Sequence, residues 1–154
     1  MREATGSSML LYVVIIIVSV VMLLFVTIIS YAKAYGAKNK IITALETYEE
    51  YNNNTKSEID ENLRRMGYTI TQNDYCNTAR VRNHLSELGI TGATNLNTAE
   101  KGKYNYCIYK IDKLNNGYYY LVVTFISYNI PVVGNTILFP VYGETKTIRK
   151  DYNY

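Results

Sequence analysis

MLLYVVIIIVSVVMLLFVTIISYAKAYGAKNK, Met9 to Lys40, is the stretch on which the reading of this chain turns. Met9 to Tyr31 carries no charge. At about 1.5 Å of rise per residue, a helix of that length crosses a hydrocarbon core of roughly 30 Å with modest tilt. The β-branched run from Val13 to Val21 would suit a strand, but strands in soluble sheets are much shorter, and within lipid only a helix satisfies its own backbone groups. A buried helix of a soluble domain has no need to be apolar on every side. The stretch therefore predicts a transmembrane helix over 9–31, behind a short leader, 1–8. The rival is a removable signal sequence, because Ala32-Lys33-Ala34 has a small-x-small form. Against it, the apolar run exceeds the ~7–15 residues of a signal core, and the leader sets only Arg2 and the terminal amine against Glu3.

The helix need not stop at the membrane. Beyond Gly36, the residues Ile41, Ile42, Leu45, Tyr48 and Tyr51 recur at three- and four-residue steps between charged positions. This spacing predicts an amphipathic stem over 32–51 that ends at Asn52-Asn53-Asn54. Gly36 marks either a kink or, in the alternative reading, a break between two helices.

Residues 52–154 then read as one small α+β domain. Thr55 with Glu58 has the form of a capping box, Ile59, Leu63 and Met66 form a stripe, and Gly67 stands where a left-handed terminator belongs. Val81, Leu85 and Leu88, followed by Gly89, repeat that plan, so two short helices are predicted, with Tyr68-Thr69-Ile70-Thr71 a brief strand between them. From Lys103 the period changes to two. KYNYCIYKID, LNNG and YYYLVVTFISYNIP form a β-hairpin, with Asn116-Gly117 as a type I′ turn. Along its second strand Leu121, Val123 and Phe125 share one face, and Tyr120, Val122, Thr124 and Ile126 the other, so both faces are apolar enough to be covered. ILFPVYGETKTIRK is a third strand, at an edge or a bulge because it contains Pro140.

Composition narrows the function. The net charge is +3 with acids and bases interspersed, which gives no nucleic-acid footprint. Tyr is abundant at 17, against 3 Phe and no Trp, and its apolar ring with a polar tip suits half-buried sheets, interfaces and membrane borders. Cys76 and Cys107 lie too far apart for a C-x-x-C motif, and His84 is the only histidine, so no metal set, cofactor or small-molecule substrate is expected. The two cysteines are either a disulfide pair, which would place the domain outside the cytoplasm, or two buried thiols. No nucleophile motif, phosphate loop or zinc helix is present, so an enzyme is not expected. Glu49-Glu50 and Asp60-Glu61 read as solubilising charges, and Asp112 as a strand end.

With these elements placed, the chain resembles the TadE-like minor pilins or pseudopilins of tight-adherence systems. The resemblance rests on the apolar helix behind a leader containing Gly6, the small-and-basic exit YAKAYGAKNKIITAL, a small α+β head, and the closing stretch YNIPVVGNTILFPVYGETKTIRK. It departs from the family at the leader, where Thr5 precedes Gly6 in place of a basic residue and Leu11 stands where an acid is usual. The resemblance implies processing at Gly6, a cytoplasmic N-terminus, an extracellular C-terminal domain and assembly with other pilin-like subunits. The lysines at 33, 38 and 40 argue for the opposite orientation, but long domains translocate largely regardless of such flanks. The expected partners are the lipid bilayer and other membrane subunits, met through an assembly stem of Val13, Ile17, Val21, Ile41, Leu45 and Tyr48. A tethered ectodomain that works as a binding module is the alternative.

Overall fold

The computed structural model describes residues 2–68, 76, 78–90, 93, 95–96, 106–113, 117–129 and 136–149. Its first element, α1 (Arg2–Tyr48), is a single unbroken helix. Gly36 is not a break between two helices. A Cβ on it would lie 2.5 Å from Met66 Cε, so its lack of a side chain admits the neighbouring helix. The helix ends three residues short of the expected Tyr51, where Glu49 takes a φ of 55°. The sheet explains the exit: the Tyr118 hydroxyl donates to the Glu49 carbonyl at 2.6 Å, and the Tyr51 N–H donates to the Tyr120 hydroxyl at 3.3 Å.

Helix α2 (Asn53–Arg65) starts differently from the predicted capping box. Its cap is Asn52, whose side chain accepts the N–H groups of Asn54 and Thr55 at 3.0 Å. Asn caps at least as well as Thr, and Thr55 is buried instead, donating to the Glu50 carbonyl at 2.6 Å. Both short helices end as the glycines predict. After α2, Tyr68 N–H reaches the Leu63 carbonyl and Gly67 N–H that of Arg64; after α3 (Ala79–Glu87), Ile90 N–H reaches Leu85 and Gly89 N–H reaches Ser86. With φ of 62° at Gly67 and 71° at Gly89, these are two Schellman endings. The strand predicted at 68–71 falls on 69–71, which lie outside the described residues.

Strands β1 (Tyr106–Lys113), β2 (Gly117–Asn129) and β3 (Thr136–Glu144) form an antiparallel sheet with β2 at its centre. Lys113 pairs with Gly117, so three residues, 114–116, connect β1 and β2. Gly117 belongs to the strand and has no positive φ, which rules out the predicted two-residue turn centred on Asn116-Gly117. The predicted third strand is divided: β3 stops at Glu144, and β4 (Ile148–Arg149) resumes pairing with the start of β2. Between them Thr145 keeps hold of β2, because its N–H donates to the Tyr120 carbonyl and its hydroxyl accepts the Tyr120 N–H, both at 3.0 Å.

Successive residues of a strand face opposite sides, and both sides of this sheet are used. Thr124 donates to the Ala34 carbonyl of α1 at 3.0 Å, and Gly143 lies under Lys38 and Ile42. On the other side Tyr142 stacks on His84 of α3 at 3.8 Å between ring centroids, and Cys107 is bridged to Cys76, just ahead of α3. Tyr120 to Phe125 are consequently all at most 2% exposed.

Candidate functional site

The feature that sets this molecule apart from a soluble α+β domain is the first half of α1. Every residue from Met9 to Ile29 is exposed, and the side chains are apolar except for Ser19, Thr27 and the hydroxyl tip of Tyr12. The Ser19 and Thr27 hydroxyls are satisfied within the helix, donating to the carbonyls of Ile15 at 2.8 Å and Leu23 at 2.9 Å. A chain without water around it requires such back-bonding. The helix is long and apolar enough to cross a membrane. Tyr12 and Tyr31, both exposed, stand about 28 Å apart along it at helical rise, close to the thickness of a hydrocarbon core. The exit is lined by aromatic and basic groups, as membrane borders are. Tyr31 stacks on Tyr35 at 5.9 Å, and Lys38 Nζ lies 3.8 Å above the Tyr35 ring.

The residues predicted as an assembly stem divide at this exit. Val13, Ile17 and Val21 are 49%, 57% and 43% exposed and present an open ridge. Ile41 and Leu45 are fully enclosed, packed with Ala34, Ala37 and Ala44 into the head's own core, while Tyr48 stays exposed. The lower stripe therefore binds the sheet of its own chain and is not a face open to a partner helix. The alanines allow the helix backbone to approach β2 closely. Gly6 falls within the helical backbone of α1.

The described tyrosines divide between the core, half-buried positions such as Tyr118, Tyr119 and Tyr142, and the exposed positions Tyr12, Tyr31, Tyr35 and Tyr48. Tyr68, Tyr106, Tyr109 and Tyr120 are buried, and three of their hydroxyls bind backbone: Tyr109 donates to the Cys76 carbonyl at 3.0 Å, Tyr68 bonds Phe125, and Tyr120 accepts the Tyr51 N–H at 3.3 Å. Burial pushes the Tyr68 and Tyr106 hydroxyls well above the usual tyrosine range and Tyr120 up to about 12. Composition alone did not separate these roles, since a tyrosine reads the same in a core and on a surface.

His84 packs on Tyr142, and its Nδ1 is 3.7 Å from the exposed Glu87 carboxylate, one turn along the same helix. Glu61 holds Arg64 at 2.6 Å and Arg65 at 2.8 Å, and these bonds, Arg65's first, lower its pKa. An open crevice of about 550 Å³ between the end of α1 and β4 sets Glu46 and Glu49 opposite Lys146 and Arg149; a smaller one, about 170 Å³, is lined by Ile29, Ser30, Lys33, Tyr68, Phe125 and Ser127, with Gly67. Neither includes His84. Among the described residues no three His, Cys, Asp or Glu side chains gather into a metal site.

No family model, no curated protein and no solved structure matches this chain.

Proposed function

We propose that this protein is a single-pass, membrane-anchored structural subunit of the TadE-like, pilin-like kind, working by helix–helix assembly in an adherence, secretion or conjugation machine. The observation that carries the reading is the continuity of α1: an apolar segment open on every side runs without a break into the helix that organises the head core. An ordinary anchor has no need of such rigid coupling. In an assembly of packed helices it fixes each head relative to its neighbours. Val13, Ile17 and Val21 form the ridge that partner helices meet, and lipid surrounds the remainder.

The head lies outside the cytoplasm and the leader inside. The Cys76–Cys107 bridge supports this orientation, because disulfides persist in oxidising compartments. Residues 9–31 should be replaced with an unrelated apolar helix of equal length. Membrane insertion is then retained, while crosslinking to neighbouring subunits is lost. If function survives that replacement, the assembly reading fails, and the chain is a tethered module whose head binds its target alone.

A further inference from the structure

Strand β2 runs down α1 toward the apolar half. Tyr118 meets Glu49, Thr124 meets Ala34, and Ser127 lies beside Ile29 and Ser30. The strand continues to Asn129, which pairs with Thr136 at the start of β3. At about 3.3 Å per residue these ends project roughly 7 Å beyond Ser127, or four to five residues of helical rise, to about the level of Phe25. The sheet therefore overlaps the apolar segment, and a bilayer around α1 meets the end of the head as well as the helix.

That end has the composition of a membrane border. Leu88 and Phe139 are the exposed large hydrophobic residues of the head among those described, and Phe139, 45% exposed, lies on this end. Arg80 sits 5.4 Å above the Phe139 ring while donating to the Leu138 carbonyl at 3.0 Å. From the α2 side come Arg64 and Arg65, both exposed, and Lys33 lies beside Gly67 at that helix's end. Glu61, which holds both arginines, offsets only part of the positive charge. An exposed aromatic ring among cations suits the boundary between anionic headgroups and acyl chains.

We propose that this end of the head is a second lipid contact, in which Phe139 enters the headgroup boundary of an anionic bilayer and Arg80, Lys33, Arg64 and Arg65 bind lipid phosphates. The inference rests on the reading of α1 as a membrane anchor and adds that the head is held against the same membrane.

The chain has no Trp, so single tryptophans report position directly. Leu24→Trp, Phe139→Trp and Tyr119→Trp variants of the full chain are placed in phosphatidylcholine–phosphatidylglycerol vesicles whose acyl chains are brominated near the headgroup. The expected result is that Phe139→Trp emission is blue-shifted and quenched at least twofold, that Leu24→Trp is also quenched, and that Tyr119→Trp, at the far end of β2, is unaffected. Quenching at Leu24→Trp without quenching at Phe139→Trp overturns the second contact and leaves the anchor standing. No quenching at Leu24→Trp overturns both. Adding Arg80→Gln to Phe139→Trp should at least halve the quenching in anionic vesicles; quenching that is unchanged, and equal in pure phosphatidylcholine, overturns the phosphate-binding role.

Discussion

The Tyr68 hydroxyl accepts the Phe125 N–H at 2.9 Å and donates to the Phe125 carbonyl at 3.3 Å, one position along β2 from the Thr124–Tyr106 pair. A side chain from the end of α2 thus satisfies both backbone groups of a sheet residue, and it does so at a buried position. Tyr68→Phe keeps the ring and strands both backbone groups. Leaving buried polar groups unpaired costs about 1–3 kcal/mol, so the midpoint of urea unfolding, followed by circular dichroism in detergent, should fall. Tyr119→Phe, which is partly exposed, should change stability by less than about 0.5 kcal/mol.

Gly36 and Met66 bring α1 and α2 together. Because a Cβ at Gly36 would lie 2.5 Å from Met66 Cε, Gly36→Leu overpacks the contact and is expected to cost roughly 1–3 kcal/mol. Gly36→Ala should be nearly neutral, since the better helix propensity of Ala offsets a collision that a flexible methionine can relieve. The two sites are coupled, so Met66→Ala should recover part of the loss in Gly36→Leu. A double-mutant cycle measured by thermal unfolding gives that coupling directly.

What could be read before the structure, and what could not, follows from the range of the forces involved. The unbroken apolar run, the stripe through Ile41 and Leu45, and the glycines at 67 and 89 are local signals, and α1 and both Schellman endings follow from them. Cap identity was harder: Asn52, Asn53, Asn54 and Thr55 are all competent caps, and tertiary burial of Thr55 decided among them. The division of the third strand depends on Thr145 bonding Tyr120 across the sheet, which no local periodicity records. Burial of Ile41 and Leu45 against their own sheet, instead of a partner, likewise requires knowing where β2 lies. The cationic end around Phe139 is assembled from α1, α2, α3 and β3, so no single stretch of sequence announces it.

Pro140 pairs with Phe125, whose own backbone groups point to Tyr68 on the opposite side of β2. By the alternation of an antiparallel ladder, the missing N–H of Pro140 faces the outer edge of β3, where it removes a donor that another strand could use. Pro140→Val should therefore leave the head folded, with a change within about 1 kcal/mol, while restoring a donor to the side of β3 that faces away from β2. The expected outcome is concentration-dependent self-association in detergent, measured by sedimentation velocity and absent from the parent chain.

Burial raises the pKa of Tyr120 to about 12, against 10.0 in the unfolded chain. Tyr68 and Tyr106 are raised by burial in the same direction. Between these limits the folded chain holds protons that the unfolded chain has released, so stability falls with rising pH. The contribution is complete below pH 10 and is lost as pH rises through about 12. Titration followed at 295 nm should show an early group of exposed tyrosines, then a cooperative step coincident with loss of the circular dichroism signal.

The Cys76–Cys107 bridge closes a span of 31 residues between the segment ahead of α3 and β1. In the chain-entropy account, closing a loop of that length stabilises the fold by about 3–4 kcal/mol. Both sulfurs are buried against the face of the sheet opposite α1, and Tyr109 ties the Cys76 carbonyl to the same strand. Replacing both cysteines with Ala should therefore lower the unfolding midpoint by the larger part of that amount while Tyr109 holds the segment near its place. Near-ultraviolet circular dichroism should retain its tyrosine bands in the double variant below its midpoint. Protein recovered from its membrane without reductant should have the mass of the oxidised chain and gain two hydrogens on reduction under denaturing conditions. A native chain already carrying two free thiols would remove both the stabilisation and the argument it supplies for a head outside the cytoplasm.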